Sequence, residues 1–579
     1  MAFELRVKNW RSYLPILDVV RDYRKSDFPH DLIAGVIVGM ITVPQAIAYA
    51  FLAGLPPQAG LYACLAPMLI YAMLGSSKKL VVGPVAVAAL MVAAAVGEHA
   101  PAYSDAYLGI TTILCLQCGI ILWLLRVSNM GGVVNLLSHP VIIGFVNAAA
   151  LLIIISQLGP LTGIASEADQ NPLQRLIQLA ENIDQINPAS LVIGLFSAGL
   201  MWLVTRRLAG FLGLLGIQIA ADHPLTRLGP LAVAVAAALA VSLGNIHEVW
   251  DVAVIGTIPG GLPAFTLPPF DLDLWTDLLP TSTMIALVSY VESFSIGTTL
   301  ATRERTRINS NQELIALGAA NISAAFTGAY PVAGSFTRSS VNYQSGARTQ
   351  ISSVVCMGVI VLTLLLFMPA FTLLPHAALA AIVIVSVFGL IDVASVRAHW
   401  RVYRNDSITE IATLLTVLMF GVEAGLITGV SLSIAFFVRR VSRPHISIVG
   451  RIGNTEHFRA AKRYDVETFP HIAAIRIDES LFFANSNQVE NKLLKIVQRR
   501  PGTRHVLLVC SAVNLIDVTG VEMLDRMNAN LEQMGITLHL SDVKNPVMEQ
   551  LEGTELILRL TGSVFFTTDQ AMRILADRR

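Results

Sequence analysis

The segment Gly334 to Thr349, GSFTRSSVNYQSGART, lies between hydrophobic stretches, yet it is crowded with hydroxyls and small residues and carries an arginine. A polar break of this kind inside a membrane run is costly and marks a functional site. Gly and Pro precede the hydroxyl residues, so a short helix is expected to start near Ser335. Ser335, Phe336 and Thr337 would supply backbone N–H groups and a hydroxyl, and with the helix dipole and Arg338 they would favour an anion at that end. Arg338 either draws in or contacts the anion, or pairs with an acid and holds helices together.

Glu292 is the acid candidate. It is the sole carboxylate in the apolar run from Met284 to Leu300. A buried unpaired carboxylate costs several kcal/mol, so it should be protonated or paired. It therefore reads as a proton-coupling residue or as a permanent anchor for Arg338. Gln45 and Tyr49 stand one helical turn apart and share a face. The amide could donate to an anion and the ring could wall a cavity; alternatively, Gln45 only satisfies a backbone break near Pro44. A second break, around Gly83, Pro84, Val85 and Ala86, is expected to open another short helix. With Pro84 at its first helical position, the donors would come from Val85 and Ala86.

The elements that must position these residues follow from composition. Of 579 residues, 54% are apolar and only 14% charged. A soluble chain of this size would carry roughly a quarter charged residues, and many stretches approach the ~20 apolar residues that cross a bilayer. The chain reads as a polytopic α-helical membrane protein. Twelve full spans fall near 31–50, 56–74, 105–126, 133–157, 188–206, 228–245, 280–301, 312–327, 350–370, 374–392, 406–421 and 425–439. Two short interrupted segments, near 84–98 and 335–345, bring the total to fourteen. Lys and Arg gather at the N-terminus, at Lys78 and Lys79, and in 301–307 and 397–404. That places both termini in the cytoplasm of a cell's inner (plasma) membrane. The segment 170–185 has helical spacing and is expected to form an amphipathic cap outside. His139 reads as an interfacial residue rather than a proton relay.

Near residue 440 the composition changes sharply, and strand-length apolar runs alternate with amphipathic helices. The expected organisation is a cytoplasmic N-terminal segment (1–30), a transmembrane domain (31–440) and a small α/β domain (441–579). The two interrupted segments each come third in a set of seven, and an odd count gives the two sets opposite orientation. Short Gly/Pro-broken segments at matching positions point to a transporter's midplane site, with both half-helix N-termini facing one cavity. The five cysteines are scattered. Cys115 and Cys118 form a CxxC within an apolar run and read as packing residues. No metal-ligand set, cofactor motif or nucleophile–base pair appears, so no enzyme activity and no cofactor are expected.

The segment GSFTRSSVNYQSGARTQ resembles the corresponding region of the sulfate permease (SulP) anion transporters. VPQAIAYAFLAGLPPQAGLY (43–62), HPVIIGFVNAAA (139–150) and ALVSYVESFSIGTTLA (286–301) resemble further segments of that family. LFFANSNQVENKL and NLIDVTGVEML resemble its C-terminal STAS domain. The resemblance implies a seven-plus-seven inverted repeat with core and gate domains, elevator-type anion transport and a homodimer. It also favours proton coupling at Glu292, giving proton-coupled uptake of sulfate-like oxyanions. Family members usually carry Ser where Thr337 stands, and the added methyl would narrow the site. Rival readings are a sodium-coupled bicarbonate transporter, a dicarboxylate carrier, an anion exchanger, a passive anion channel, and a scaffold whose tail recruits a cytoplasmic regulatory partner. Against sodium, Ile296 stands where related chains offer a hydroxyl one turn after the acid, which removes a hard oxygen ligand. In the STAS-like tail, Thr519 occupies the place of a phosphorylated Ser in related soluble proteins. It reads either as a regulatory hydroxyl or as part of a solvated helix start. No nucleic acid partner is expected; the bilayer, a small anion and a proton are.

Overall fold

The structure is a computed structural model and describes residues 14–132, 138–164, 172–214 and 224–577. Its contacts divide the chain after Val430 into two compact units. The compositional border at 440 falls instead at the end of the last apolar helix, Val422–Val441.

Fourteen helical segments fall in two sets of seven. The first set is Phe28–Leu52, Pro57–Leu74, Ala86–Gly97, Asp105–Val127, His139–Thr162, Pro188–Leu214 and Gly229–Gly244. The second is Leu272–Arg303, Ser310–Phe326, Phe336–Gln344, Ile351–Phe371, His376–Phe388, Arg404–Phe420 and Val422–Val441. Among the described residues, nine helices are long and apolar enough to cross a membrane. Ala86–Gly97 and Phe336–Gln344, with 12 and 9 residues, are half-length, as the two interrupted segments require. The expected start of the fifth span at 133–137 lies outside the described residues, as do 165–171, which include the first two residues of the expected cap, and 215–223. The rest of that cap is helical over Pro172–Glu181. The basic stretch 397–404, expected as a loop, is mostly helical: Val393–Val402 is amphipathic with no buried residue.

Helix packing repeats between the sets. The first helix of set one packs on the fourth of set two, and the first of set two packs on the fourth of set one. The fifth of each set packs likewise on the sixth of the other. Glycines permit the closest approaches. A Cβ at Gly35 would stand 2.4 Å from the Ser352 carbonyl oxygen, and one at Gly144 would stand 2.4 Å from the Glu410 carbonyl oxygen. Any side chain there would force two helices apart.

The second unit carries a six-stranded sheet. Its spatial order is Phe458–Ala460, Ile446–Arg451, Ile472–Ile477, His505–Val509, Thr537–Ser541 and Val564–Phe565. The first two junctions are antiparallel and the last three parallel. One face is covered by Ser486–Gln498 and Val518–Gln533, whose apolar sides share a core with the strands. The other face is covered by Thr568–Ala576. After His505–Val509 the chain turns and enters the helix at Val518.

Candidate functional site

Two strands of two residues each bring the broken segments together. Val82 pairs with Gly334 and Gly83 with Ala333, antiparallel. Three more bonds extend the junction. Ser335 N–H donates to the Val81 carbonyl at 3.0 Å, Val81 N–H to Ser339 Oγ at 2.9 Å, and Gly334 N–H to Ser293 Oγ at 2.7 Å. Each strand is followed within three residues by a half-helix, so the antiparallel pairing brings their two N-termini to one junction. Backbone groups left unpaired at membrane depth cost several kcal/mol each, which is why this short ladder is so fully bonded.

The second half-helix begins as its sequence suggests. Ser335 is the N-cap, extended at φ −99°, and its Oγ accepts from Arg338 N–H at 3.5 Å. Because Ser335 N–H is committed to Val81, the free donors at this end are the N–H groups of Phe336 and Thr337. The side chains of Phe336 (49% exposed) and Thr337 stand open. The first half-helix differs from its expectation. Val85 is the N-cap and Ala86 the first helical residue, so Pro84 lies outside the helix rather than at its first position. The reason is the strand: Val82 and Gly83 must stay extended to pair, and the helix begins only after Pro84 has redirected the chain. Donors come from the first turn, Ala86 to Ala88, which has no acceptor within the helix.

Pro84 has a different part. Its carbonyl accepts from Nη2 of Arg338 at 2.6 Å. Nη1 of Arg338 faces Cys64 Sγ at 3.9 Å and packs on Gly83, where a Cβ would stand 3.0 Å away. The guanidinium is thus held across the junction by the opposite half of the repeat, and it is 1% exposed. Among the described residues, no salt bridge or hydrogen bond joins it to Glu292. Glu292 is half-buried on Leu272–Arg303, one residue before the Ser293 that holds Gly334. Tyr49, Glu292 and Arg338 lie within electrostatic reach of one another. Gln45 is 3% exposed and its amide has no hydrogen-bond partner among the described residues; Tyr49, a turn later on Phe28–Leu52, is half-buried.

All nine residues expected to bind substrate therefore lie on the two half-helix starts or on the first helix, which packs against both half-helices. Sequence reasoning did not single out Cys64, Ser293, Ser339 or Tyr330. Tyr330 is fully buried, within electrostatic reach of Cys64, Arg338 and Tyr49, and its hydroxyl has no protein partner. Its position at the head of YPVAGSF, in the broken segment itself, was the available signal. The SGART end of the opening motif is structural: the Asp31 carboxylate accepts from Arg348 N–H at 2.6 Å, Thr349 N–H at 3.0 Å and Thr349 Oγ1–H at 2.6 Å.

Away from this site, Cys115 and Cys118 are buried and donate to the carbonyls of Ala329 and Ser282. His139 opens its helix, its ring 6.1 Å from that of His399. In the second unit Thr519 is in the first turn of Val518–Gln533, where the Asp517 carboxylate caps the helix by accepting from Gly520 N–H at 2.8 Å. Burial, and then the Asp542 carboxylate, push the Cys510 thiol up to about 12. It stays a protonated, inert core residue. Among the described residues, no cluster of three or more His, Cys, Asp or Glu could hold a metal ion.

Comparison with known proteins places this geometry in context. Residues 28–413 match the sulfate permease family model and residues 463–571 the STAS domain model. A chloroplastic sulfate transporter, 4.1, of Arabidopsis thaliana is 34% identical over 94% of this chain and 79% of its own. A probable sulfate transporter of Mycobacterium tuberculosis is 30% identical over 96% of this chain and 97% of its own. Among solved structures, the murine Solute Carrier 26 family member A9 anion transporter in the inward-facing state aligns with a TM-score of 0.88 at 22% identity, covering 100% of this chain and 96% of that one. The transmembrane domain of a cyanobacterium bicarbonate transporter aligns with a TM-score of 0.59 at 22% identity, over 70% of this chain and 98% of that one. At such identities these two likenesses speak to fold alone.

Proposed function

The chain belongs to the sulfate permease family, and on that premise we propose that it is a secondary active transporter that takes up sulfate-like oxyanions together with protons. The observation that carries this reading is the meeting of two half-helix N-termini at one junction with a buried arginine across it. Each helix start presents roughly half a positive charge, and Arg338 adds a full one. Three positive poles in a dry setting suit a small anion that must shed its water.

Glu292 supplies the coupling. Deprotonated, it offsets the charge of Arg338 within electrostatic reach and competes with the anion. Protonated, it leaves the positive field unopposed. Anion and proton therefore favour each other's binding, and by linkage the effect is reciprocal. Transport proceeds by an elevator-type motion of a core carrying both half-helices against a gate. The short ladder keeps the two helix starts together as they travel. The protein is a homodimer in the plasma membrane, with both termini and the STAS domain cytoplasmic.

Proteoliposome uptake tests the reading. Labelled sulfate, selenate, bicarbonate and a dicarboxylate are each offered under an imposed proton or sodium gradient. Proton-driven sulfate accumulation is expected. Accumulation that follows sodium and ignores protons would replace this reading with the sodium-coupled one.

A further inference from the structure

Two buried polar groups near the half-helix starts have nothing to bond to. Arg338 Nε–H is a donor only, on a side chain 1% exposed, and it has no partner. The Tyr330 hydroxyl, on a side chain with no exposed surface, has none. Beside them Gln45, 3% exposed, makes no hydrogen bond among the described residues. Buried donors are almost always satisfied, and leaving one bare costs about 1–3 kcal/mol. Two such donors on one short segment mark a place built for something that accepts hydrogen bonds.

The committed neighbours say what that is. Nη2 of Arg338 is held by the Pro84 carbonyl and Nη1 lies against Cys64 and Gly83, so of the guanidinium only Nε is unbonded. Ser293, Ser339 and Ser335 spend their oxygens on backbone N–H groups. Around the helix starts the free donors are Nε–H, the Tyr330 O–H, the Gln45 amide N–H and the first-turn N–H groups; the unpartnered acceptor Asn342 Oδ1 lies a turn further along its half-helix. Two donors from side chains fixed on one short segment, Tyr330 and Arg338, suit one oxygen of a tetrahedral oxyanion, with Gln45 and the helix starts left for the others.

We propose that Tyr330 is a substrate-contacting and specificity-determining residue, donating with Arg338 Nε–H to one oxygen of a tetrahedral dianion as the site closes around it. This rests on the transport reading above and deepens it, because donors spread over Tyr330, Arg338, Gln45 and two helix starts match the several oxygens and double charge of a tetrahedral dianion better than one small singly charged halide. In a dry site such charge-assisted bonds are strong.

The test uses the full-length protein in proteoliposomes with Tyr330→Phe, which keeps the ring and removes only the hydroxyl. The expected result is a rise of about tenfold or more in the KM for sulfate and selenate, with Vmax within about twofold. Inhibition of sulfate uptake by chloride is expected to strengthen relative to sulfate affinity. An unchanged sulfate KM overturns the proposal. Should Tyr330→Phe fail to fold, 3-fluorotyrosine at position 330 preserves shape and makes the phenol a stronger donor. The sulfate KM should then fall, and an unchanged value overturns the proposal equally. Wild-type protein that carries no oxyanion at all would sink the transport reading; normal wild-type uptake with an indifferent Tyr330→Phe would sink this inference alone.

Discussion

The two half-helices occupy equivalent places in an inverted repeat, yet their chemistry is nearly opposite. Ala86–Gly97 is wholly apolar apart from its glycine, begins after a valine that caps nothing, and carries no charge. Phe336–Gln344 is polar, is capped by a serine and carries Arg338. The shared ladder gives both the same geometry. The first offers only backbone donors; the second adds a charge, and it sends that charge's Nη2 back to the first half's Pro84. Symmetry thus builds the cradle, and the departure from symmetry tunes what lies in it.

The comparison can be broken most severely at its one charge. Arg338→Gln removes a full positive charge and the tether to Pro84. Labelled-sulfate uptake should fall by about two orders of magnitude or more, in line with the strength of charge-assisted bonds in dry sites; residual uptake above a tenth of wild type would show that the two helix starts suffice. Glu292→Gln comes next. Uptake should lose its dependence on external pH and run down the sulfate gradient only, because the side chain can no longer exchange a proton. Proton-driven accumulation surviving in that variant would remove Glu292 from the coupling. Gly83→Ala then probes the first half's hold on the arginine. Its Cβ would stand 3.0 Å from Nη1, so the guanidinium must give way and the sulfate KM should rise several-fold, roughly 1 kcal/mol in binding.

The smallest effects come from exchanging the caps of the two half-helices. Val85 already has the extended backbone of an N-cap, at φ −129° and ψ 148°. Val85→Thr keeps the branched shape and adds an oxygen that can accept from the first turn, stabilising the helix by about 0.5–2 kcal/mol while withdrawing a donor from the anion. Tm should rise slightly and the sulfate KM increase about two- to threefold. Ser335→Ala should do the reverse for stability, lowering Tm. If both swaps leave KM unchanged, the helix N–H groups do not hold substrate.

The membrane architecture was legible because its signals are long. Runs of twenty apolar residues, the two Gly/Pro breaks, and the sharp change near 440 each extend over many positions. Ser335 was legible as a helix start because capping is a local rule. Arg338's partner was not: Pro84 is 254 residues away, and a proline carbonyl has no sequence signature. Nor could Pro84 itself be placed. A proline beside a helix looks alike at the first turn or just before it, and the deciding fact is a two-residue strand too short to show alternation. Phe458–Ala460 escaped notice for the same reason, being three residues on a sheet edge. Tyr330 was passed over because an aromatic in an apolar segment reads as packing until its hydroxyl is found without a partner.

The ladder between Val82–Gly83 and Ala333–Gly334 also bears on how the chain is made. Its two strands are about 250 residues apart in synthesis. At the usual pace of 5–20 residues per second, the first strand waits roughly ten to fifty seconds for the second. During that interval its peptide groups lie at membrane depth with no mate. The nascent first half is therefore an incomplete object that must be sheltered, by the insertion machinery or by water, until the second arrives. Assembly is gated by the translation of one distant tetrapeptide, VAGS, and slowing the ribosome between the halves should lengthen the protein's most vulnerable moment.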